Sequence, residues 1–132
     1  MTFPDPATVL RHRPPAVLVR SVLDFSGERL ACSSSDDGVW PWPRLLEGGA
    51  QTAGLLAGAQ ADGLAHDAVI ADYRDVRVLA AAYTGGVTFR AVLERRVMRF
   101  WRCRIEAHGA DGRPLLTALV TLAPVPRPAE SP

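Results

Sequence analysis

Between Arg44 and Asp62 this sequence carries one charged side chain, Glu47, in the stretch RLLEGGAQTAGLLAGAQA, which is otherwise almost wholly apolar or tiny. An exposed helix normally shows several charges on its outer face. The stretch therefore predicts one buried helix over residues 40–61, and the rest of the chain must be arranged around it. Pro43 suits the first helical turn, where its missing N–H costs nothing. Asp62-Gly63 predicts the end, with the glycine as C-cap. Gly48, Gly49, Gly54 and Gly58 each cost roughly 1 kcal/mol relative to alanine in a helix interior. They make sense if another backbone, or a sheet wrapped around the helix, comes very close. Glu47 and Gln51, four residues apart, share one face. A lone carboxyl there is expensive to bury unless bonded or neutral, and burial makes a carboxyl a better proton-transfer group. The plain alternative is a carboxylate on a solvated edge or bonded to a loop backbone, and both readings stay open on these residues.

A chain of 132 residues is naturally one domain, large enough to need no disulfide or metal staple. The expected domain covers residues 1–125, and the proline-rich residues 126–132 are expected to form a disordered tail. A net charge of +1 argues against a general nucleic-acid or membrane surface. All 15 basic residues are arginine, which reads as coding bias before any binding role. Cys32 and Cys103 lack metal-ligand spacing. With no signal-peptide pattern and no membrane-length apolar run, the expectation is a cytoplasmic chain with both thiols reduced.

Residues 1–15 hold four prolines, with one helical turn expected between them. Residues 16–25 and 28–35 read as the two strands of a hairpin turning at Ser26-Gly27. Asp36-Asp37-Gly38 opens a loop that Trp40-Pro41-Trp42-Pro43 carries into the helix. The two tryptophans read equally as walls of an apolar pocket or as core residues. Past the helix, residues 68–83 predict one long strand, broken at Thr84-Gly85-Gly86. Residues 87–97 alternate, with Val87, Phe89, Ala91 and Leu93 on one side. Residues 98–109 alternate Met98 and Phe100 against Arg99, then Trp101, Cys103 and Ile105 against Arg102, Arg104 and Glu106. Ala110-Asp111-Gly112-Arg113 is a hairpin turn, and residues 114–125 close the sheet. This is an α+β chain, one helix on a large antiparallel sheet. Its edges predict pairing with a second subunit.

Elimination narrows the chemistry. His12, His66 and His108 have no metal-ligand pattern around them, so no metal is expected. No dinucleotide or phosphate loop is present, and no cofactor is expected. No serine stands in a nucleophile elbow. The arginines between 90 and 104 read as a solvated face, with a patch for an acidic carrier protein as the lesser reading.

The order HRPP-AVLV-RSVLDFSGERL followed by PWPRLLEGGAQTAG resembles the hotdog-fold β-hydroxyacyl-acyl-carrier-protein dehydratases. Those proteins share an His-Arg-Pro-Pro start before an apolar strand. They also share a proline six residues before a glutamate, and Glu-x-x-Ala-Gln-x-x-Gly on the central helix. Pro41, Glu47, Ala50, Gln51 and Gly54 stand in that pattern. Residues 84–89 look like the family's Gly-Asp-x-Leu stretch without its aspartate. The family's loop histidine is missing: SSSDDGVWPWP holds none. Trp42 replaces the glycine after the loop proline, whose backbone would serve the thioester carbonyl. This loop looks like that of a divergent branch associated with aryl-polyene and related polyketide pathways.

The resemblance covers roughly residues 9–124. It implies a hotdog fold, one long helix wrapped by a curved antiparallel sheet. It also implies acyl-thioester sites at a dimer interface, fed by acyl-carrier-protein or coenzyme A thioesters, in a homodimer or in a heterodimer with another hotdog subunit. The leading expectation is a 3-hydroxyacyl-carrier-protein dehydratase of fatty-acid or polyketide biosynthesis. In it Glu47 is the catalytic acid/base, Gln51 orients it or bonds substrate, and Trp40, Trp42 and Gly54 line the acyl site. Dehydration needs a base at C2 and an acid at the C3 hydroxyl, and one carboxyl leaves the second group unassigned. The second expectation is a non-catalytic or half-catalytic partner of a histidine-bearing hotdog subunit. The third is a thioesterase, for which a single helix carboxylate is chemically sufficient.

Overall fold

The structure, a computed structural model, describes residues 17–60 and 66–126. The expected N-terminal turn with His12, the Asp62-Gly63 cap and the tail beyond 126 lie outside the described residues. Strands β1 (Val19–Ser26) and β2 (Arg29–Ser34) form the expected hairpin, and Gly27 turns it with a φ of 62°. Helix α1 runs Trp42–Gln60. Strands β4 (His66–Val78), β6 (Val87–Val97), β7 (Phe100–Gly109) and β8 (Pro114–Pro126) complete one antiparallel sheet in the order β1-β2-β6-β7-β8-β4.

The helix lies on one face of this sheet, and the alternation read from the sequence decides which side chains meet it. Val87, Phe89, Ala91 and Leu93 of β6, then Trp101, Cys103, Ile105 and Ala107 of β7, are all buried toward Leu45, Leu55, Leu56 and Ala57 of the helix. Arg90, Arg95, Arg102 and Arg104 of the same strands fall on the opposite face, as strand geometry requires, whereas Arg96, past a register shift in β6, pairs with Trp101 and lies 5.4 Å from its ring centre. Two of the helix glycines, Gly48 and Gly49, answer to packing. A Cβ on Gly48 would overlap the Phe89 ring, and one on Gly49 would lie 2.9 Å from Ile105 Cδ1. The sheet therefore approaches the helix backbone more closely than alanine would permit.

Three expectations are corrected. Trp40 and Pro41 belong to a short strand β3 (Val39–Pro41), so the helix begins at Trp42. The long strand over 68–83 is two strands. After Val78 the Leu79 and Ala80 N–H groups both donate to the Leu115 carbonyl, at 2.9 and 3.1 Å. The chain then enters β5 (Ala82–Thr84), which pairs with β3 in a separate two-stranded sheet. The apolar run VLAAAY hides this break, because nothing in its composition separates a strand end from a strand interior. Met98 sits in the β6–β7 turn with a φ of 55° and is 93% exposed, so it takes no part in the alternation.

Candidate functional site

Glu47 stands in the second turn of α1. Its neighbours on the helix stripe are Gln51 and Gly54, at the spacing that stacks side chains along one face. Glu47 is half-buried, Gln51 is buried and Gly54 is half-buried. The acid is thus at a boundary, neither enclosed nor on an open edge.

The helix holds its place through side chains. Gln51 Oε1 accepts the Leu18 N–H at 2.8 Å, and the Leu18 carbonyl accepts the Ser35 N–H at 2.9 Å. The chain just before β1 is therefore fastened across the helix stripe beside Glu47. Thr52 Oγ1 donates to the Gly48 carbonyl at 3.0 Å inside the core. It also bonds the Cys32 thiol, but burial outweighs that bond and pushes the thiol up to about 12. The Cys103 thiol is likewise pushed up to about 12, by burial first and by the charge of Glu94 second. Both cysteines are free and buried, so neither is a nucleophile at neutral pH.

The loop ahead of the helix is tied by an ion pair that sequence reasoning missed. Arg44 Nη2 reaches Asp36 Oδ2 at 2.9 Å, its Nη1 donates to the Val39 carbonyl at 3.1 Å, and its guanidinium lies 3.9 Å from the Trp40 ring centre. Asp36 Oδ1 accepts the Gly38 N–H at 2.8 Å. The Arg44 hydrogen bond, helped by this one, holds the Asp36 carboxyl below its ordinary value. Trp40 is fully buried edge-on to Phe89, with ring centres 5.5 Å apart, and its Nε1 donates to the Asp36 carbonyl at 3.2 Å. Trp40 is thus spent inside the core. Trp42, 40% exposed, is the tryptophan that meets solvent. An aspartate eight positions before an arginine, around a turn, was the available signal and was too common to single out.

The other group near Glu47 comes from β4. Tyr73 is half-buried and packs against the core, paired in register with the buried Val120. Its phenol is pushed up to about 12, by burial first and by the negative charge of Glu47 second. At neutral pH the tyrosine is a neutral O–H within range of the Glu47 charge. No sequence motif marks it.

Among the described side chains, the one histidine, His108, does not join this group. His108 lies on β7 at the far face of the sheet, its Nε2 3.9 Å from Glu106 Oε2, in an open cavity of about 440 Å³ with Thr88 and Arg90. The His66 and His12 side chains lie outside what is described. No group of three His, Cys, Asp or Glu that could hold a metal occurs among the described residues. No described helix is long and apolar enough to cross a membrane.

No protein-family profile matches the chain, and no curated protein matches its sequence. Solved structures do match. The dehydratase heterocomplex ApeI:P from Xenorhabdus doucetiae superposes with a TM-score of 0.79 at 18% identity, over 96% of this chain and 94% of that one. A variant of the thioesterase PA1618 from Pseudomonas aeruginosa gives 0.75 at 19%, over 96% and 97%. A hypothetical thioesterase from Streptococcus pneumoniae, solved with coenzyme A, gives 0.65 at 14%, over 83% and 88%. With one helix packed on a large antiparallel sheet, the chain has the hotdog fold.

Proposed function

We propose that this chain handles acyl thioesters and, first among its options, dehydrates 3-hydroxyacyl groups carried on acyl-carrier-protein. The observation that supports this reading is the position of Glu47. It is the sole charge on its stretch of helix, half-buried beside a neutral phenol, on a fold shared with dehydratase and thioesterase structures. Glu47 is the acid/base. Trp42 lines the acyl approach, while Trp40 holds the loop behind it. Gly54 keeps the helix stripe narrow where the acyl chain lies. Gln51 acts one step back, because its oxygen is engaged by Leu18.

A second reading is favoured by the sheet edge. Among the described residues strand β4 has no neighbour on its outer side, and it exposes Val69, Val76 and Val78, with Leu79 just beyond. An open strand edge of this length is a template for another chain. In the partner reading a second hotdog subunit pairs there and brings the histidine that the 33–43 loop lacks. The heterocomplex among the structural neighbours supports it.

Mass spectrometry of a 3-hydroxyacyl-loaded carrier protein, incubated with the purified chain alone, separates the readings. Loss of one water identifies the dehydratase, and that loss vanishes in Glu47→Gln. Loss of the whole acyl group identifies a thioesterase. An unchanged carrier rejects both activities for the lone chain and leaves the partner subunit.

A further inference from the structure

We infer that Tyr73 is the second working group of the Glu47 site, delivered there by a bulge in β4. The inference rests on the acyl-thioester reading above and deepens it, because dehydration by one carboxylate leaves the leaving hydroxyl without a proton donor.

The register of β4 against β8 carries the argument. Ile70 pairs with Leu122, but the next pair is Asp72 with Thr121, so Ala71 is an extra residue. Beyond it Tyr73 pairs with Val120 and Arg74 with Leu119. Leu122 and Val120 are buried against the helix, so Ile70 and Tyr73 face inward. Asp72 and Arg74 face outward, where they pair at 3.5 Å. In an unbulged strand Asp72 would take the inward place opposite Val120 and Tyr73 would point to solvent. Bulges recur beside active sites, where they re-aim a side chain. Here the bulge exchanges a second carboxylate for a phenol. Two carboxylates sharing this place would repel, whereas a phenol that keeps its proton can donate it.

The proton balance closes. The Glu47 carboxylate takes the C2 proton, and the C2–C3 double bond forms as the C3–O bond breaks. The departing hydroxyl takes the Tyr73 proton and leaves as water. Glu47 then returns its proton to the phenolate, and both groups are restored.

The chain has two tyrosines, so 3-fluorotyrosine in the full chain carrying Tyr83→Phe gives one fluorine NMR signal, from Tyr73. On its own strand Asp72 and Arg74 lie on the other face, and its facing residue on β8 is Val120, so the helix charge it senses is that of Glu47. On acidification the signal is expected to move in the chain that keeps Glu47, and to lose that movement in Glu47→Gln. An identical pH course in both chains overturns the pairing, whatever the chain does to thioesters. Where the carrier loses water, Tyr73→Phe is expected to lower kcat about 100-fold with KM nearly unchanged. Full kcat overturns the proposal and leaves the dehydratase standing. If the carrier is untouched, the dehydratase reading fails separately, and the fluorine titration alone decides whether the two side chains form one site.

Discussion

Gln51 and Leu18 lie 33 residues apart and are joined through the core, the side-chain oxygen of one accepting the backbone N–H of the other at 2.8 Å. The resemblance implied that Gln51 orients Glu47 or bonds substrate. The structure gives its oxygen to the segment before β1.

The two roles separate experimentally. Removing the acceptor in Gln51→Ala strands a buried N–H, which costs about 1–3 kcal/mol. The urea midpoint should fall accordingly. A residue that only touched substrate would leave the midpoint in place and raise KM.

Gly48 and Gly49 test the closeness of sheet and helix. Alanine at either position gains about 1 kcal/mol of helix propensity. At Gly48 the new methyl meets the Phe89 ring, so Gly48→Ala is expected to be destabilising by about 1–3 kcal/mol net. At Gly49 the nearest atom is the terminal methyl of Ile105, which can rotate away, so Gly49→Ala should cost less. Phe89→Leu should recover part of the Gly48→Ala loss. Equal midpoints for the two single variants would contradict the geometry.

The buried thiols predict alkaline sensitivity. Each has an ordinary value of 9.0 and is pushed up to about 12 in the fold. Above the lower value the unfolded chain sheds the thiol proton while the folded chain keeps it. The unfolded state then binds fewer protons, so stability is complete below that pH and drains away as pH rises toward the higher value. The loss should be on the order of 1 kcal/mol per thiol by about pH 10. Unfolding curves of Cys32→Ala and Cys103→Ala, compared with the parent at neutral and alkaline pH, should show a shallower decline for each variant. An unchanged slope would mean that the thiols are not protected as their burial requires.

The outer edge of β4 predicts association. Val76→Asp together with Val78→Asp places charge on both of two exposed apolar residues of that edge. Sedimentation should show self-association, or association with a second hotdog subunit, weakened at least about tenfold, a change of about 1.4 kcal/mol. Undiminished association would move the contact to another surface, such as β1 with its exposed Leu23.

The helix was legible because a gap in charge and a cluster of glycines are local signals, and both have one physical cause, a sheet lying close. The inward faces of β6 and β7 were legible because a regular strand turns its side chains with a fixed period. What escaped was set by partners distant in sequence. Trp40 reads like Trp42 until Val39–Pro41 pairs with Ala82–Thr84 and draws Trp40 inside. Nothing near Gln51 in the sequence announces its bond to Leu18, 33 residues away. Tyr73 is inward solely because one residue is inserted in a strand whose composition gives no sign of it. The same distant pairing of β3 with β5 split the long strand expected over residues 68–83.

The extra residue at Ala71 also says how such a site could be gained or lost in descent. Because it sets the parity of the strand, deleting one codon near position 71 would swap Tyr73 for Asp72 beside Glu47 without altering either residue. Relatives of this chain could therefore keep both side chains and yet differ in chemistry. An alignment that slides past a single gap in this strand would match the letters and mistake the site.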